Sequence, residues 1–446
     1  MNATLFPEFV EKWFKPIVGK VTEKINGQKA EKPLLYKTML VDEYSADLTW
    51  DSATISNSIV AADVVAMDSS LPLKRRPVFG VASGKVPKLG LKFRKGEKEI
   101  SDIQVMEARG AKEEEIVAKL FNDVPRVIKG MEYRKEIMFQ QALSTGEILV
   151  ADDTDENVGT GIRVKFGYKD ENGFKAAVAW STVASATPIT DLQQLFDKAD
   201  EDGNTITGLL MSKAYFNYMR QTVEAKELVA NNQGIIYTST NNLRVPNREG
   251  MVSALESEFG VTVTIVDSTF RVENPDGSFT TVRPWDSGAV VAIPSEKVGR
   301  LFWSTLVEEN RPVEGVAYEK SGHVLVAKFS KTDPFEEFTT GQSLEIPVID
   351  EAPNCYILHA DRTAEVSVDP STLSFLAAGS TKSAAFKADG DVTAASDETW
   401  CTVAVNNKTR KVAVTAAANS GAARTATVTI TDASGDTATI SVSQGA

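Results

Sequence analysis

"AKEEEIVAKLFNDVPRVIKGMEYRKEIMFQQALSTG", Ala111 to Gly146, is the stretch on which the fold turns. Val117, Leu120, Val124, Val127, Ile128, Met131, Met138 and Ala142 recur at steps of three and four, which gathers them on one helix face. Glu113, Glu114 and Glu115 open the stretch, where negative charge suits the helix dipole. Gly146 supplies a left-handed cap at its end. The spacing predicts one long helix over 111–145, bent at Pro125 and Gly130. A bent helix of this length runs along a sheet rather than inside a small core.

Upstream, "LPLKRRPVFGVASGKVPKLGLKFRKGEK" (Leu71 to Lys98) holds nine basic side chains and one acid, a balance of +8 in a chain of net charge −13. The other residues therefore carry −21. Leu89, Leu91 and Phe93 alternate with Lys88, Gly90 and Lys92 between glycines and prolines, a β-hairpin pattern. A two-stranded ribbon buries too little to be stable alone, so residues 71–105 are expected to project and rest on a neighbour. Lys85, Lys88, Lys92, Arg94, Lys95 and Lys98 become candidate contacts to an acidic partner. With few aromatics in the ribbon, stacking on nucleic-acid bases is poorly supplied. Residues 1–70 show no sustained period and read as an extended arm with short strands. Phe6, Phe9, Val10, Trp13 and Phe14 form a short apolar anchor within it.

Downstream, "IRVKFGY" and "FKAAVAW" flank "KDENG" as an expected hairpin. "TPITDLQQLFDKA" then opens a helix with Thr190 as N-cap and Gln193 as its reciprocal partner. Helices and strands mix up to about Pro312, and strands dominate from Gly322 to Leu358. Composition breaks near Ala360. Beyond it "ARTATVTITDASGDTATISVSQ" alternates Ala426, Val428 and Ile430, then Ala438, Ile440 and Val442, with hydroxylic residues. That pattern predicts a small antiparallel sandwich over 361–446.

The chain's 446 residues should hold two or three domains. Hydrophobic and charged shares of 42% and 24% fit an ordinary globular protein. There is no apolar run of about 18 residues, so no membrane span is expected. Glu8, Glu11, Lys12 and Lys15 interrupt the opening segment, and no signal peptide is expected. Cys355 and Cys401 are too few for a disulfide framework and suit small buried hydrophobes.

Catalytic motifs fail one by one. "GVASGKV" has three residues between its glycines where a phosphate loop needs four, and Val86 where Ser or Thr should hold magnesium. "KADEDGNTITGL" has Lys198 and Leu209 where a calcium loop needs its anchoring carboxylates. Asp152, Asp153, Asp155 and Glu156 crowd a loop that reads as a solvated face. His323 and His359 are the only histidines. No catalytic residue, cofactor or metal ligand is expected, and the chain does not read as an enzyme.

The parts run in order: arm, basic ribbon, long helix, sheet, mixed insertion, return strands. In this order, "EYRKEIMFQQALSTGEI" (Glu132 to Ile148), "LRVPNREG", "GAVVAIPSEKVG" and "KTDPFEEFTTGQSLEIPVIDEAP" resemble the major capsid proteins of tailed bacteriophages. This is the α+β Hong Kong 97-type fold, in its lambda capsid protein-like branch, and the resemblance covers about residues 40–360. It implies an N-terminal arm at 1–70 and an E-loop at 71–105. A spine helix with peripheral domain would span 106–186, an axial domain 187–318, and peripheral return strands 319–360. It also implies self-assembly into hexamers and pentamers of a shell around double-stranded DNA. Scaffolding and portal proteins would be partners, the place of assembly the bacterial host cytoplasm, and the destination the virion.

"LSF" at Leu373, Trp400, "AAANSGAARTATVTIT" and the closing "ISVSQ" resemble a BACON domain, an immunoglobulin-like module often attached to carbohydrate-handling enzymes. It departs from the usual pattern at Cys401, where an aromatic residue or Leu ordinarily follows Trp. The resemblance implies glycan contact through 361–446, with Trp400 as candidate platform or else as a plug between the two sheets. It also supplies an alternative for the chain: a secreted carbohydrate-binding or carbohydrate-cleaving protein.

Overall fold

A computed structural model describes residues 3–26, 34–52, 82–150, 162–236, 239, 243–273, 277–361, 366–388, 392–407, 411–432 and 436–445. The chain divides into two compact units, Met1–Asp361 and Arg362–Ala446.

The first unit opens with helices α1 (Pro7–Asn26) and α2 (Leu35–Met39), then strands β1 (Leu40–Tyr44), β2 (Thr49–Ser52), β3 (Ala82–Lys85) and β4 (Lys88–Lys95). Helices α3 (Glu97–Ala108), α4 (Glu113–Leu120) and α5 (Asp123–Thr145) follow. Next come β5 (Glu147–Val150), β6 (Ile162–Lys165), β7 (Gly173–Lys175), α6 (Pro188–Glu201), β8 (Gly208–Ser212), α7 (Lys213–Met219), α8 (Val223–Asn232) and α9 (Arg248–Phe259). The unit closes with β9 (Thr262–Val266), β10 (Phe270–Glu273), β11 (Phe279–Val282), β12 (Ala289–Ile293), β13 (Gly299–Ser304), α10 (Val307–Asn310), β14 (Ala317–Ser321), β15 (Val324–Thr332), β16 (Phe335–Ile349) and β17 (Tyr356–His359).

The expected long helix is two helices. It breaks at Phe121–Asn122 and not at Pro125 or Gly130. Pro125 falls in the first turn of α5, where a missing N–H forfeits no bond. Gly130 marks a close approach: a Cβ there would stand 2.6 Å from Leu91 Cδ2 of β4. Gly146 caps α5 at φ +75° as expected.

The fifteen-residue strand β16 is the axis of the main sheet. Gln342 pairs with Leu325 of β15 across one edge and with Gly90 of β4 across the other. Beyond β15 on that first edge, β13 pairs with Leu344 to Ile349, and β1 runs parallel outside β13. Helix α5 lies along β16, touching where Gly341 leaves room: a Cβ at Gly341 would stand 2.2 Å from Val127 Cγ1. One end of α5, with Val124, Ile128 and Met131, shares a core with α1, α3 and α4. The other, with Met138, Phe139, Ala142 and Leu143, joins a second core under β13 and β16.

Three further expectations change. The arm opens with a long helix among its described residues: Phe6, Val10, Phe14, Val18 and Val21 are buried at steps of four and three, while Glu8, Glu11, Lys12 and Lys15 face out. The charges that interrupt the apolar run occupy the opposite side of one amphipathic helix. The residues read as a hairpin around "KDENG" separate, with β6 pairing back to β5 and β7 joining β17 in parallel. In α6 the N-cap position belongs to Thr187, ahead of Pro188, and Thr190 Oγ1 instead donates to Glu224.

A second sheet, ordered β7-β17-β12-β8-β9, packs with α6, α8 and α9 around Trp180, Leu192, Leu209, Met211, Phe216 and Tyr356.

In the second unit β18 (Ser367–Asp369), β19 (Thr372–Phe375), β20 (Ser380–Lys387), β21 (Val392–Ser396), β22 (Cys401–Asn406), β23 (Lys411–Ala416), β24 (Arg424–Asp432) and β25 (Thr437–Gln444) form two four-stranded sheets. Ala426, Val428, Ile430, Ile440 and Val442 face inward, as their alternation predicts, with Phe375, Phe386 and Val414 completing the core. This unit is an all-β sandwich.

Candidate assembly interface

The basic ribbon is where the structure differs most from expectation. Its described part does not project as a two-stranded finger. β4 is built into the main sheet along β16, and the following residues, 97–108, are helix α3. The alternation supplies the cause. Leu89, Leu91 and Phe93 give β4 one apolar face, and burying that face against α5 gains more than leaving it in water. The opposite face shows Lys88, Lys92 and Arg94 to solvent.

The six candidate cations therefore separate. Lys95 is 5% exposed and bonds Asp123 Oδ2 at 2.7 Å, so it belongs to the core and is withdrawn as an inter-subunit contact. Arg94 pairs with Glu336 at 2.9 Å but keeps its outer side in solvent. Lys92 Nζ stands 3.9 Å from the Phe338 ring centre. Lys85, Lys88 and Lys98 are exposed and have no partner among the described residues. Along its other edge β4 has no strand partner among the described residues. An open edge carrying lysines is protected from indiscriminate pairing yet free for a specific one.

Beside it, β2 pairs with β3 in antiparallel register, Trp50 opposite Gly84. The end of β1, the turn after it and this ribbon enclose a groove of about 580 Å³ lined by Glu43, Tyr44, Asp47, Trp50, Asp51 and Lys85, among others. Leu48, in that turn, has φ +60°, a conformation a branched residue adopts only under constraint. Glu43 receives Arg300 Nη1 at 2.9 Å, while the same guanidinium grips Asp350 at 2.7 and 2.8 Å. The hydrogen bonds Asp47 accepts, first from Thr49 and then from Ser45, hold its carboxyl below the usual range. Asp51's carboxylate has no partner among the described residues, nor has the indole Nε1–H of Trp50, although Trp50 is 2% exposed.

Between the two ends of α5 lies a buried ionic network that the sequence reading missed. Lys135 donates to Glu132 at 3.0 Å and to Glu345 of β16 at 3.1 Å. Tyr36 OH and Lys37 of α2 also reach Glu132. Glu136 accepts from Tyr36 N at 3.0 Å and from Gln140 Nε2 at 2.6 Å. Burial pushes Glu132 up, but Lys135 and Lys37 outweigh it and leave the carboxyl below its ordinary range. Glu136 has no such cation, and burial raises it. The network joins α2, α5 and β16. Its trace in the sequence was the charged run Glu132–Glu136 in the middle of the helix, between the apolar positions Met131 and Ile137.

In the second unit Trp400 is half-buried against the sandwich core, and the Arg424 guanidinium lies 4.2 Å from its ring centre. Arg424 is itself held by Gln444 Oε1 and Ala417 O, both at 2.8 Å. Trp400 thus lies with the sandwich core on one side and the Arg424 guanidinium over its ring.

Among the described residues no group of three His, Cys, Asp or Glu is placed to hold a metal, and no helix is long and apolar enough to cross a membrane. The acidic loop 151–161 and the cations Lys74, Arg75 and Arg76 lie outside the described residues.

A family model described as phage major capsid protein E matches residues 18–312. The chain belongs to that family. A BACON domain model, described as a binding domain, matches residues 390–445 of this capsid protein. No curated protein matches the sequence. Among solved structures the capsid protein is similar to a prophage capsid protein of E. coli CFT073, at 12% identity and TM-score 0.47, covering 77% of this chain and 98% of that one. It is also similar to a phage-related protein from Bordetella bronchiseptica RB50, at 13% identity and TM-score 0.45, covering 78% and 97%. Against the mature capsid of bacteriophage PhiM1 the identity is 11% and the TM-score 0.37, covering 74% and 87%. The α+β body is that of a phage capsid protein and its family role is structural. The all-strand second unit is a BACON-type sandwich.

Proposed function

We propose that this capsid protein assembles with copies of itself into hexamers and pentamers of an icosahedral shell that encloses double-stranded DNA, with Arg362–Ala446 as an appended binding unit. The family match over 18–312 supports this reading over a secreted carbohydrate-active protein. The observation that carries self-association is the outward row Lys88, Lys92 and Arg94 on a strand whose other edge has no strand partner among the described residues, flanked by Lys85 and Lys98, in a molecule of net charge −13. Each exposed pair contributes only about 0–1 kcal/mol. Repeated on every subunit, such pairs set orientation and register while leaving misplaced subunits free to dissociate.

Electron microscopy of the purified protein tests the reading, with shells or hexamer–pentamer lattices as the expected result. The variant Lys88→Glu/Lys92→Glu/Lys98→Glu should keep the monomer's circular dichroism and lose the shells. A wild-type protein monomeric at every concentration and salt overturns it. Scaffolding and portal proteins, assembly in the host cytoplasm and glycan adhesion by 361–446 belong to the same proposal. Trp400 remains the candidate glycan contact of that unit, with Arg424 beside its ring.

A further inference from the structure

We propose that Arg424, laid over Trp400 where β24 begins and β25 ends, is the specificity-determining residue of a site for acidic saccharides, those that carry a carboxylate or a sulfate ester. The inference rests on the glycan-adhesion reading of 361–446 and names the class of sugar that reading leaves open.

The guanidinium is fixed before any ligand arrives. Its Nε donates to Gln444 Oε1 at 2.8 Å, and its Nη2 donates to Ala417 O at 2.8 Å and, more weakly, to Ala418 O at 3.4 Å. Gln444 is itself 2% exposed, and its amide group is spent on Leu376 O at 3.1 Å and Ala417 O at 2.8 Å. Every acceptor on Arg424 is neutral, and among the described residues it has no carboxylate partner and no acceptor on Nη1. Holding so long a side chain in one place costs rotamer entropy, with no ion pair to offset it. The arrangement provides a full positive charge and the two N–H donors of Nη1, already ordered for a ligand.

The position of that charge selects the ligand. The guanidinium carbon lies 4.2 Å from the ring centre of the half-buried Trp400, so a sugar that meets the exposed part of Trp400 meets Arg424 as well. A neutral sugar offers the unspent donors only hydroxyl oxygens. A carboxylate or sulfate offers them charged oxygens, and such charge-assisted bonds are roughly twice as strong. Leu376, 82% exposed, belongs to the turn whose carbonyl holds Gln444, and it supplies apolar surface for the C–H side of a sugar ring.

Equilibrium dialysis of the full chain tests it, with fluorescently labelled sialyllactose, sulfated lactose and lactose as probes. The two acidic probes should bind about tenfold or more tighter than lactose, the factor expected of one charge-assisted contact. Arg424→Gln should bring both down to the lactose level. Ala418 is exposed, and Ala418→Asp sets an internal carboxylate beside the guanidinium without entering the core. It should have the same effect, whereas Ala418→Asn should bind as wild type, and this pair decides if Arg424→Gln misfolds. Lys88→Glu/Lys92→Glu/Lys98→Glu should also bind as wild type, because the basic row of the first unit is not the site. Equal binding of lactose and the acidic probes overturns the role of Arg424 and leaves glycan adhesion standing. So does acidic binding that survives Arg424→Gln or Ala418→Asp, or that is lost in the triple lysine variant. Inorganic sulfate that displaces sulfated lactose at equal concentration shows a plain anion site and overturns the proposal too. Absence of binding by all three probes overturns the glycan-adhesion reading itself, an outcome distinct from binding that ignores charge.

Discussion

The ammonium of Lys135, in the middle of α5, stands 3.1 Å from the carboxylate of Glu345 on β16, and neither residue is more than 2% exposed. The pair fastens the long helix to the long strand. Burial alone would lower Lys135, but Glu345 and Glu132 outweigh it and raise it above the ordinary lysine value. Lys135→Ala leaves two buried carboxylates short of a cation and should cost about 3–5 kcal/mol. Lys135→Met/Glu345→Met, which removes both partners, should cost less than the sum of the single changes, read by chemical denaturation of all four proteins.

Glu136 has the opposite character. It is fully buried, accepts two N–H bonds, and is raised because burial disfavours its charge. A carboxyl whose value is higher folded than unfolded binds more protons in the folded state. Its contribution is fully present below the ordinary carboxyl range and is lost as pH rises through the elevated folded value. Glu136→Gln should therefore flatten this part of the stability–pH profile, so that its melting temperature gains on wild type as pH rises. Parallel profiles for the two proteins would contradict the assignment.

Lys328 and Glu337 form a buried pair at 3.4 Å, with exposures of 0% and 1%. Glu337 also accepts Thr4 Oγ1 at 2.5 Å and Leu5 N at 3.1 Å, so it pins the start of α1. Burial depresses Lys328 despite Glu337. The two substitutions should then be unequal. Lys328→Met leaves Glu337 its N-terminal donors and Lys95 nearby, and should change stability by under about 1.5 kcal/mol. Glu337→Ala strands a buried ammonium and frees the N-terminal segment, and should cost about 3–5 kcal/mol. Thermal melts, with protease sensitivity of residues 3–26 as a second readout, check both.

Gly341 allows α5 to lie directly on β16. Adding one methyl there meets Val127 Cγ1 at 2.2 Å, too close for any packed core to absorb without movement. Gly341→Ala should destabilise by about 1–3 kcal/mol, and Val127→Ala in the same chain should recover part of the loss. Additive costs in the double variant would show that the two residues do not meet.

Local periodicity made much of this legible. The α5 face from Val124 to Ala142, the left-handed Gly146 and the strict alternation of β24 and β25 are each set by neighbours a few residues apart, and each appears as read. The helix α1 obeyed the same rule, but its charged face masked the apolar one. What escaped was whatever depends on a partner far along the chain. Lys135 and Glu345 are 210 residues apart, and Thr4 and Glu337, whose bond pins the start of α1, are 333 apart.

The order of elements, the two-part composition and the concentration of positive charge at Leu71–Lys98 are properties of the chain as written, and they lead to a capsid subunit with a terminal sandwich. Which of those cations face solvent was decided by tertiary structure alone. One apolar row in β4 seeks burial against α5, the pleat then turns Lys88, Lys92 and Arg94 outward, and the end of the strand carries Lys95 in to Asp123. The sequence records the charges, whereas the sheet determines which of them remain available to another subunit.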